Sequence, residues 1–317
     1  MDIIKKIIRS AAFLAGLAVI LAVTSVIMKP RNAVYNAVGV DNKTKDLKKE
    51  AEQSIDLFFF GDSESYSAFN PLQMFKEQGY TSYVCGTSLQ RLCDTYALME
   101  EFFSKQSPKV VVLETNCLFR FSGTHEDDSD AVMNAFSKVI PVLKYHDRWK
   151  TYIPLKVYTN KDENDSRFKG FRYRTACEPY TGGQWMHETE KVARMGENTE
   201  EYLKKIKKYT EEKGAALILV SVPSPDNWSY AKHNAVEKIA EEYGLEFLDM
   251  NLMQDEIDID WTKETKDGGN HLNFAGAKKV SSYLGEYLSE KFSLPDHREE
   301  PAYDNWKKDV EDSGMDI

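Results

Sequence analysis

Two short segments, about two hundred residues apart, contain the residue types that ester chemistry requires. The first is Gly61-Asp62-Ser63, and the second is Asp267-Gly268-Gly269-Asn270-His271. A serine hydroxyl is a weak nucleophile until an imidazole accepts its proton, and a carboxylate can hold that imidazole in the required tautomer. The sequence therefore predicts Ser63 as nucleophile, His271 as general base and Asp267 as the acid, if the fold brings the two segments together.

Both segments lie next to predicted secondary structure. The apolar run 55–60 predicts a buried strand just before Ser63. A serine on the turn that leaves such a strand lies at the carboxyl edge of the sheet, where open α/β folds bind ligands. Asp267 and His271 precede the last long predicted helix, residues 274–292.

The remaining elements predict the fold class. Four more apolar runs predict strands at 83–85, 110–113, 215–222 and 245–249. Helices are predicted to begin near Pro71, to follow a capping Ser88, and to cover 199–213, 230–243 and 274–292. Continuous apolar strands that alternate with helices are typical of parallel sheets covered on both faces. We expect an α/β protein with a flavodoxin-like, doubly wound parallel sheet of about five strands.

The N-terminus predicts a transmembrane helix. Ser10–Met28 is a stretch of 19 residues without a charge. At about 1.5 Å per residue it can cross a hydrocarbon core of roughly 30 Å. Lys5, Lys6 and Arg9 precede it, which favours a cytoplasmic N-terminus and an extracellular domain in a single-pass protein of the cell membrane. A cleaved signal peptide is the alternative, and it would export the domain too.

The distribution of apolar and charged residues predicts four parts of the chain. Residues 1–32 hold the cytoplasmic N-terminus and the anchor, and residues 33–54 form a polar stalk. Residues 55–292 form the domain, with an insertion at 118–198 that contains one helix at about 130–145. An insertion of this length at the ligand edge favours a lid or specificity element over a surface elaboration without substrate contact. Residues 293–317 predict an acidic, mobile tail.

Charge and motif spacing exclude several functions. Residues 1–32 hold five of the 41 basic and one of the 51 acidic residues, so the rest has a formal net charge of -14. Such a surface repels nucleic acid, and no phosphate-binding glycine loop follows a strand. The four cysteines and the scattered histidines show no metal-ligand spacing, so neither a metal nor a cofactor is predicted.

The order of the polar residues at the predicted strand ends resembles the SGNH, or GDSL, hydrolase superfamily. Gly61-Asp62-Ser63 follows the first strand, Gly86 the second and Asn116 the third, and Asp267 and His271 precede the last helix. The match covers residues 55–118 and 215–290. The resemblance implies the SGNH hydrolase fold with a Ser-His-Asp triad. It also implies an oxyanion hole made of the Ser63 N–H, the Gly86 N–H and the Asn116 amide.

Two departures from that family pattern are visible. The acid usually lies three residues before the histidine, where this chain has Gly268, and Asp267 is one residue further back. A Gly-Gly pair can bulge to absorb the extra residue. Asp260, or a Ser-His dyad without an acid, is the alternative. Asn116 follows Glu114-Thr115 rather than the usual glycine-containing block.

A narrower resemblance suggests a function. His271-Leu272-Asn273 with Gly276-Ala277 is similar to the histidine block of membrane-tethered SGNH-like proteins that work beside membrane O-acyltransferases on envelope polymers. It implies an extracytoplasmic serine esterase or O-acyltransferase, commonly for acetyl groups, that acts on an acylated envelope glycan or a small ester. The alternative is a weakly catalytic or non-catalytic accessory protein that partners a membrane O-acyltransferase. The membrane is contacted through residues 10–28, and nucleic acid is not a partner.

Overall fold

A computed structural model of the 317-residue chain describes residues 2–28, 46–47, 49–120, 140, 142, 166–196 and 198–317. The chain divides into two compact units. One comprises residues 1–36 and 123–161, and the other comprises residues 37–122 and 162–317. The predicted helix at 130–145 lies outside the described residues, apart from residues 140 and 142.

The first unit contains a long apolar helix, α1, from Asp2 to Met28. Its segment Ile4–Ile27 is long and apolar enough to cross a membrane. Most side chains along residues 4–27 are exposed, with Phe13 70% exposed, as expected for a helix surrounded by lipid, while Ser25 is buried. The predicted anchor therefore has the expected length and composition, while the side of the membrane that each end faces stays a prediction.

The second unit is built around five parallel strands. They are β1 Leu57–Phe60, β2 Ser82–Val84, β3 Val110–Glu114, β4 Ala216–Ser221 and β5 Glu246–Asp249. Their spatial order is β2-β1-β3-β4-β5, and every neighbouring pair is parallel. This is the flavodoxin-like, doubly wound order, so the predicted fold class is confirmed.

Both faces of the sheet are buried, which explains the continuous apolar runs. Phe58 and Phe60 point into one core, and Leu57 and Phe59 point into the other. All four side chains have no solvent exposure. Successive side chains of a strand point to opposite faces, so a strand covered on both sides must be apolar at every position.

Eight described helices belong to this unit. They are α2 Ser63–Ala68, α3 Pro71–Gln78, α4 Leu92–Phe102, α5 Thr199–Glu212, α6 Tyr230–Tyr243, α7 Gln254–Ile257, α8 Phe274–Phe292 and α9 Asp304–Asp312. Helices α4, α5 and α6 contribute to the core of Phe58, and α8 contributes to the core of Phe59. The predicted cap at Ser88 is wrong. Helix α4 begins at Leu92, and the Ser88 hydroxyl lies 2.9 Å from the Tyr66 hydroxyl instead.

The predicted mobile tail is also wrong, because residues 293–317 fold back onto the domain. Trp306 of α9 is 1% exposed, and its ring lies 5.3 Å from that of Phe75. The Lys169 ammonium lies 4.6 Å from the Trp306 ring and forms an ion pair with Asp309 at 2.7 Å. Acidic composition suggested disorder, but one tryptophan buries enough apolar surface to hold the short helix in place.

The predicted stalk, residues 33–54, lies mostly outside the described residues. Its described end is packed on the domain. Leu47 is 5% exposed and joins the core of Phe58, and the Glu50 carboxylate pairs with Lys169 at 2.7 Å.

Candidate active site

The polar residues that follow the strands meet at the carboxyl edge of the sheet. Strands β1 and β3 are neighbours, with Phe60 beside Leu113, and the chain continues from them into Ser63 and Asn116. This is the switch point of the doubly wound sheet, where such folds bind ligands. Ser63 is the first residue of α2 and is 8% exposed, and the Asp62 carboxylate caps the helix by accepting the Glu64 N–H at 3.0 Å.

The imidazole of His271 is held by Asp267. His271 Nδ1 lies 2.8 Å from Asp267 Oδ2, and the His271 backbone N–H donates to Asp267 Oδ1 at 2.7 Å. With Nδ1 directed at the carboxylate, Nε2 is the nitrogen available to accept a proton. Within the described part of the chain, Nε2 is buried and has no hydrogen-bond partner.

The extra residue between acid and histidine is absorbed by two glycines. Gly268 and Gly269 have φ angles of +70° and +96°, which residues with a Cβ adopt only with strain. The chain thereby turns tightly enough for Asp267 to reach an imidazole four residues later. Asp260 contacts Thr262 and Lys263 instead, so the carboxylate beside His271 is that of Asp267.

The Asp267 carboxyl is tuned to stay ionised. Burial by itself raises its pKa, but hydrogen bonds from the side chain and backbone of His271, together with the charge of Lys266, outweigh that effect. The pKa of Asp267 consequently lies below its ordinary value. An ionised carboxylate at this place is what the stabilisation of a protonated imidazole requires.

The two distant segments are joined by residues that follow β4. The Ser224 hydroxyl lies 3.1 Å from Glu64 Oε1 and 2.8 Å from the Asn270 carbonyl oxygen. The Asn227 amide nitrogen contacts the same Glu64 oxygen and donates to Asn270 Oδ1 at 2.7 Å. The residue after Ser63 and the residue before His271 therefore share two partners. No hydrogen bond links the Ser63 hydroxyl with the imidazole in this structure.

Two backbone donors lie beside the nucleophile turn. Gly86 packs so closely that the Cβ of any other residue would lie 1.8 Å from Ser65 Oγ and 2.9 Å from the Asp62 carbonyl oxygen. Among the described residues, neither the Gly86 N–H nor the Ser63 N–H has a hydrogen-bond partner. Free N–H groups that are fixed in place can stabilise a developing oxyanion.

Asn116 is tied into a charged network. Its Nδ2 donates to Asp62 Oδ2 at 3.0 Å, and its Oδ1 accepts from Lys232 Nζ at 3.0 Å. Arg120 Nε also donates to Asp62 Oδ2, at 2.7 Å. One of the two Nδ2 protons is thus committed to Asp62, and the other has no partner among the residues that the structure describes. The oxyanion role of Asn116 stays a prediction, as do the roles of Ser63, Gly86, Asp267 and His271.

Sequence reasoning missed two buried carboxyls beneath the site. Glu64 and Glu114 are each 1% exposed, and each has one carboxyl oxygen without a partner among the described residues. Burial, followed by the nearby charge of Asp62, raises the pKa of both well above the ordinary value. Burial also lowers the pKa of Lys232. A signal for the two acids existed in their positions, since each lies at or just after a strand end.

The described part of the insertion contacts the loop that carries His271. The Glu178 carbonyl accepts the Gly268 N–H at 2.9 Å, and the Tyr180 ring lies against Gly269. Tyr180, Trp185 and Trp261 form a cluster of edge-to-face rings with centroids 5.1 to 6.3 Å apart. All three are partly exposed. The described segment, residues 166–196, therefore reaches the predicted site, and its function as a lid stays a prediction.

No protein-family model and no curated protein matches the sequence. Several solved structures are similar to the chain at low identity. An acetyl xylan esterase, AlAXEase, is 17% identical with a TM-score of 0.38, over 74% of this chain and 100% of that one. A two-domain esterase active on acetylated mannans is 16% identical with a TM-score of 0.41, over 82% of this chain and 53% of that one. A GDSL-like lipase from Bacteroides thetaiotaomicron is 11% identical with a TM-score of 0.41, over 79% and 97%.

Proposed function

We propose that this chain is a serine esterase or O-acyltransferase of the SGNH type that acts outside the cytoplasm on acylated carbohydrate of the cell envelope. Ser63 is the nucleophile, His271 the general base and Asp267 the acid. The observation that carries the proposal is the Asp267–His271 pair, 2.8 Å apart, whose free Nε2 belongs to a loop joined to the Ser63 turn through Ser224 and Asn227.

The geometry suits acyl transfer in two steps. When Ser63 Oγ attacks an ester carbonyl, its proton passes to His271 Nε2, and Asp267 stabilises the imidazolium. The negative charge on the carbonyl oxygen is met by the Ser63 and Gly86 N–H groups. His271 then returns the proton to the departing alcohol. A water molecule or a sugar hydroxyl next loses its proton to His271 and attacks the acyl group on Ser63. The bond between the acyl carbon and Ser63 Oγ breaks, His271 returns the proton to Ser63 Oγ, and the acyl group leaves as the free acid or as the new ester.

The aromatic cluster supports a carbohydrate as the group that carries the ester. Tyr180, Trp185 and Trp261 expose part of their surface beside the loop of His271, where they can pack on the apolar faces of sugar rings. The Trp185 indole is fixed in place because its N–H donates to Asn251 Oδ1 at 3.2 Å. We expect Trp185→Ala to raise KM for an acetylated oligosaccharide and to leave hydrolysis of p-nitrophenyl acetate nearly unchanged.

Serine-directed labelling tests the central proposal. The full-length protein in detergent is treated with a fluorophosphonate, and the adduct is located by peptide mass spectrometry. We expect an adduct on Ser63 that is absent from Ser63→Ala and strongly slowed in His271→Ala. Ser67→Ala, which changes another buried serine of the same helix, is the matched control and keeps the adduct. A folded protein that stays unlabelled at Ser63 contradicts the proposal.

A second candidate function is an SGNH-fold accessory protein that binds acylated polymer for a membrane O-acyltransferase, with little turnover of its own. It is favoured by the missing hydrogen bond between Ser63 and His271 and by the commitment of the Asn116 amide to Asp62. Turnover of p-nitrophenyl acetate that disappears in both Ser63→Ala and His271→Ala excludes it. Glycan binding without such turnover supports it over the esterase.

A further inference from the structure

The Glu64 carboxyl lies where the nucleophile turn meets the loop of His271. Its Oε1 has two neighbours, the Ser224 hydroxyl at 3.1 Å and the Asn227 amide nitrogen. Both neighbours also contact Asn270, the residue before His271. Glu64 directly follows Ser63 in α2, so its side chain connects the nucleophile turn to the loop of His271 through Ser224 and Asn227.

Proton counting at Ser224 decides the direction of the bridge. Ser224 Oγ has one proton but three oxygen neighbours, namely the Asn270 carbonyl at 2.8 Å, Glu64 Oε1 at 3.1 Å and the Gly269 carbonyl at 3.3 Å. The contact with the Asn270 carbonyl is the shortest, and a carbonyl oxygen has no proton to donate, so Ser224 donates its proton to Asn270. The contact between Ser224 Oγ and Glu64 Oε1 then holds only if Glu64 supplies a proton.

The surroundings of Glu64 favour the protonated acid. Its second oxygen, Oε2, is buried without a partner among the described residues. Burying a charged oxygen without a hydrogen bond costs more free energy than burying a neutral one, so the protonated acid is favoured. Burial, followed by the charges of Asp62 and Asp267, raises the pKa of Glu64 well above its ordinary value, although its contacts with Asn227 and Ser224 oppose that effect. The titratable and charged groups that interact with Glu64 from the packed elements are Asp62, Glu114, Lys232 and Asp267.

We propose that Glu64 is a positioning residue that acts as a neutral carboxylic acid, donating a hydrogen bond to Ser224, which donates in turn to the Asn270 carbonyl and so fixes the loop of His271 against the turn of Ser63. The inference rests on the proposed function for its kinetic consequence. Its structural consequence, an ordered loop at residues 267–271, does not depend on catalysis.

The kinetic test compares Glu64→Gln with Glu64→Ala in the full-length protein. A glutamine amide can donate to Ser224 but cannot accept from Asn227 as Glu64 Oε1 does. Glu64→Gln should therefore keep more of the p-nitrophenyl acetate hydrolysis than Glu64→Ala, which loses about 10²-fold through misplacement of the base. Ser224→Ala has the same effect as Glu64→Ala. Glu237→Gln, at an exposed position of α6, is the control and changes nothing. Equal rates for Glu64→Ala and wild type overturn the proposal.

The pH profile separates a proton donor from a space-filling side chain. Above its pKa, Glu64 ionises and can no longer donate to Ser224, so the wild-type rate falls on the alkaline side. Glu64→Gln has no such proton to lose and keeps its rate there. An alkaline decline that is identical in both proteins overturns the donor role.

Amide hydrogen exchange tests the inference without catalysis. We expect the peptide that contains residues 267–271 to exchange faster in Glu64→Ala and Ser224→Ala than in wild type, and more slowly in Glu64→Gln than in Glu64→Ala. Unchanged exchange in Glu64→Ala overturns the inference. If wild type neither hydrolyses esters nor labels at Ser63, the proposed function fails, while this exchange experiment still decides the role of Glu64.

Discussion

Asp267 and Glu64 are two carboxyl groups on the segments that carry His271 and Ser63, and their environments push them in opposite directions. Asp267 is 30% exposed at its side chain and receives two hydrogen bonds from His271, which bring its pKa below the ordinary value. Glu64 is 1% exposed, one of its oxygens has no hydrogen-bond partner in the described part of the chain, and burial raises its pKa. Hydrogen-bond donors and solvent, rather than residue type, therefore decide which acid is ionised.

The difference assigns the two acids to different tasks. An ionised Asp267 can stabilise a positively charged imidazole, which a neutral acid cannot do. A neutral Glu64 can donate a hydrogen bond, which an ionised carboxylate cannot do. Under the proposed roles of Asp267 and Glu64, negative charge is kept beside the imidazole and is removed from the contact between Glu64 and Ser224.

Asp267→Asn gives the largest expected effect on this comparison. The amide cannot balance an imidazolium or fix its tautomer, so we expect kcat for p-nitrophenyl acetate to fall by about 10³–10⁴-fold. Asp260→Asn is the matched control, because that carboxylate contacts Thr262 and Lys263 only in the described part of the chain, and its rate should equal wild type. Retained activity in Asp267→Asn would show that a Ser-His dyad suffices.

Gly86→Ala has the next largest expected effect. It tests whether backbone N–H groups stabilise the negative charge that develops on the substrate carbonyl oxygen. The new Cβ would lie 1.8 Å from Ser65 Oγ, so the turn must shift and the oxyanion donors with it. Losing one such donor costs about 10²–10³-fold in kcat. Adding Ser65→Ala removes the clashing oxygen and should restore part of the rate. No recovery in the double variant would indicate that the clash with Asp62 alone displaces the turn.

Asn116→Ala should have a smaller effect on kcat, about tenfold. The side chain already donates one proton to Asp62 and accepts from Lys232, so only its second Nδ2 proton is available to substrate. Steady-state kinetics on the same ester measures this directly. A loss as large as that of Gly86→Ala would place Asn116 in the oxyanion hole on equal terms with the backbone.

The smallest effects are expected in how the free energy of unfolding depends on pH. Glu64 ionises near pH 4.5 when unfolded, and its folded pKa is higher, so the folded state binds more protons and loses stability as pH rises above about 4.5. Glu64→Gln should lack this decline. The folded pKa of Asp267 lies below 3.8, so its stabilisation is present above that pH and is lost as pH falls through the folded pKa.

Urea unfolding of wild type, Glu64→Gln and Asp267→Asn at several pH values measures both effects, which we expect to be on the order of 1 kcal/mol. The two variants should diverge from wild type at opposite ends of the pH range. Divergence of both at the same end would mean that the two carboxyls are not tuned in opposite directions.

Local patterns in the sequence predicted most of the fold. The run 55–60 predicted strand β1, and helices α6 and α8 have the predicted bounds, because period and capping residues are local signals. The packing of residues 293–317 was not predicted. Their acidic composition indicated disorder, whereas Trp306 packs on Phe75, which is distant in the sequence.

The candidate site divides along the same line. Residue types and their order predicted the candidate catalytic groups: a serine after a buried strand and a histidine with an aspartate in a glycine-rich loop. They also predicted an apolar helix at the N-terminus. The folded arrangement was needed to show that Asp267 rather than Asp260 contacts the imidazole. It was also needed to find the contacts of Glu64, Ser224 and Asn227 between the two segments. Those contacts join residues up to 163 positions apart. Burial in the folded protein raises the pKa of the Glu64 carboxyl. Local sequence patterns specify neither which distant residues come into contact nor which side chains are shielded from water.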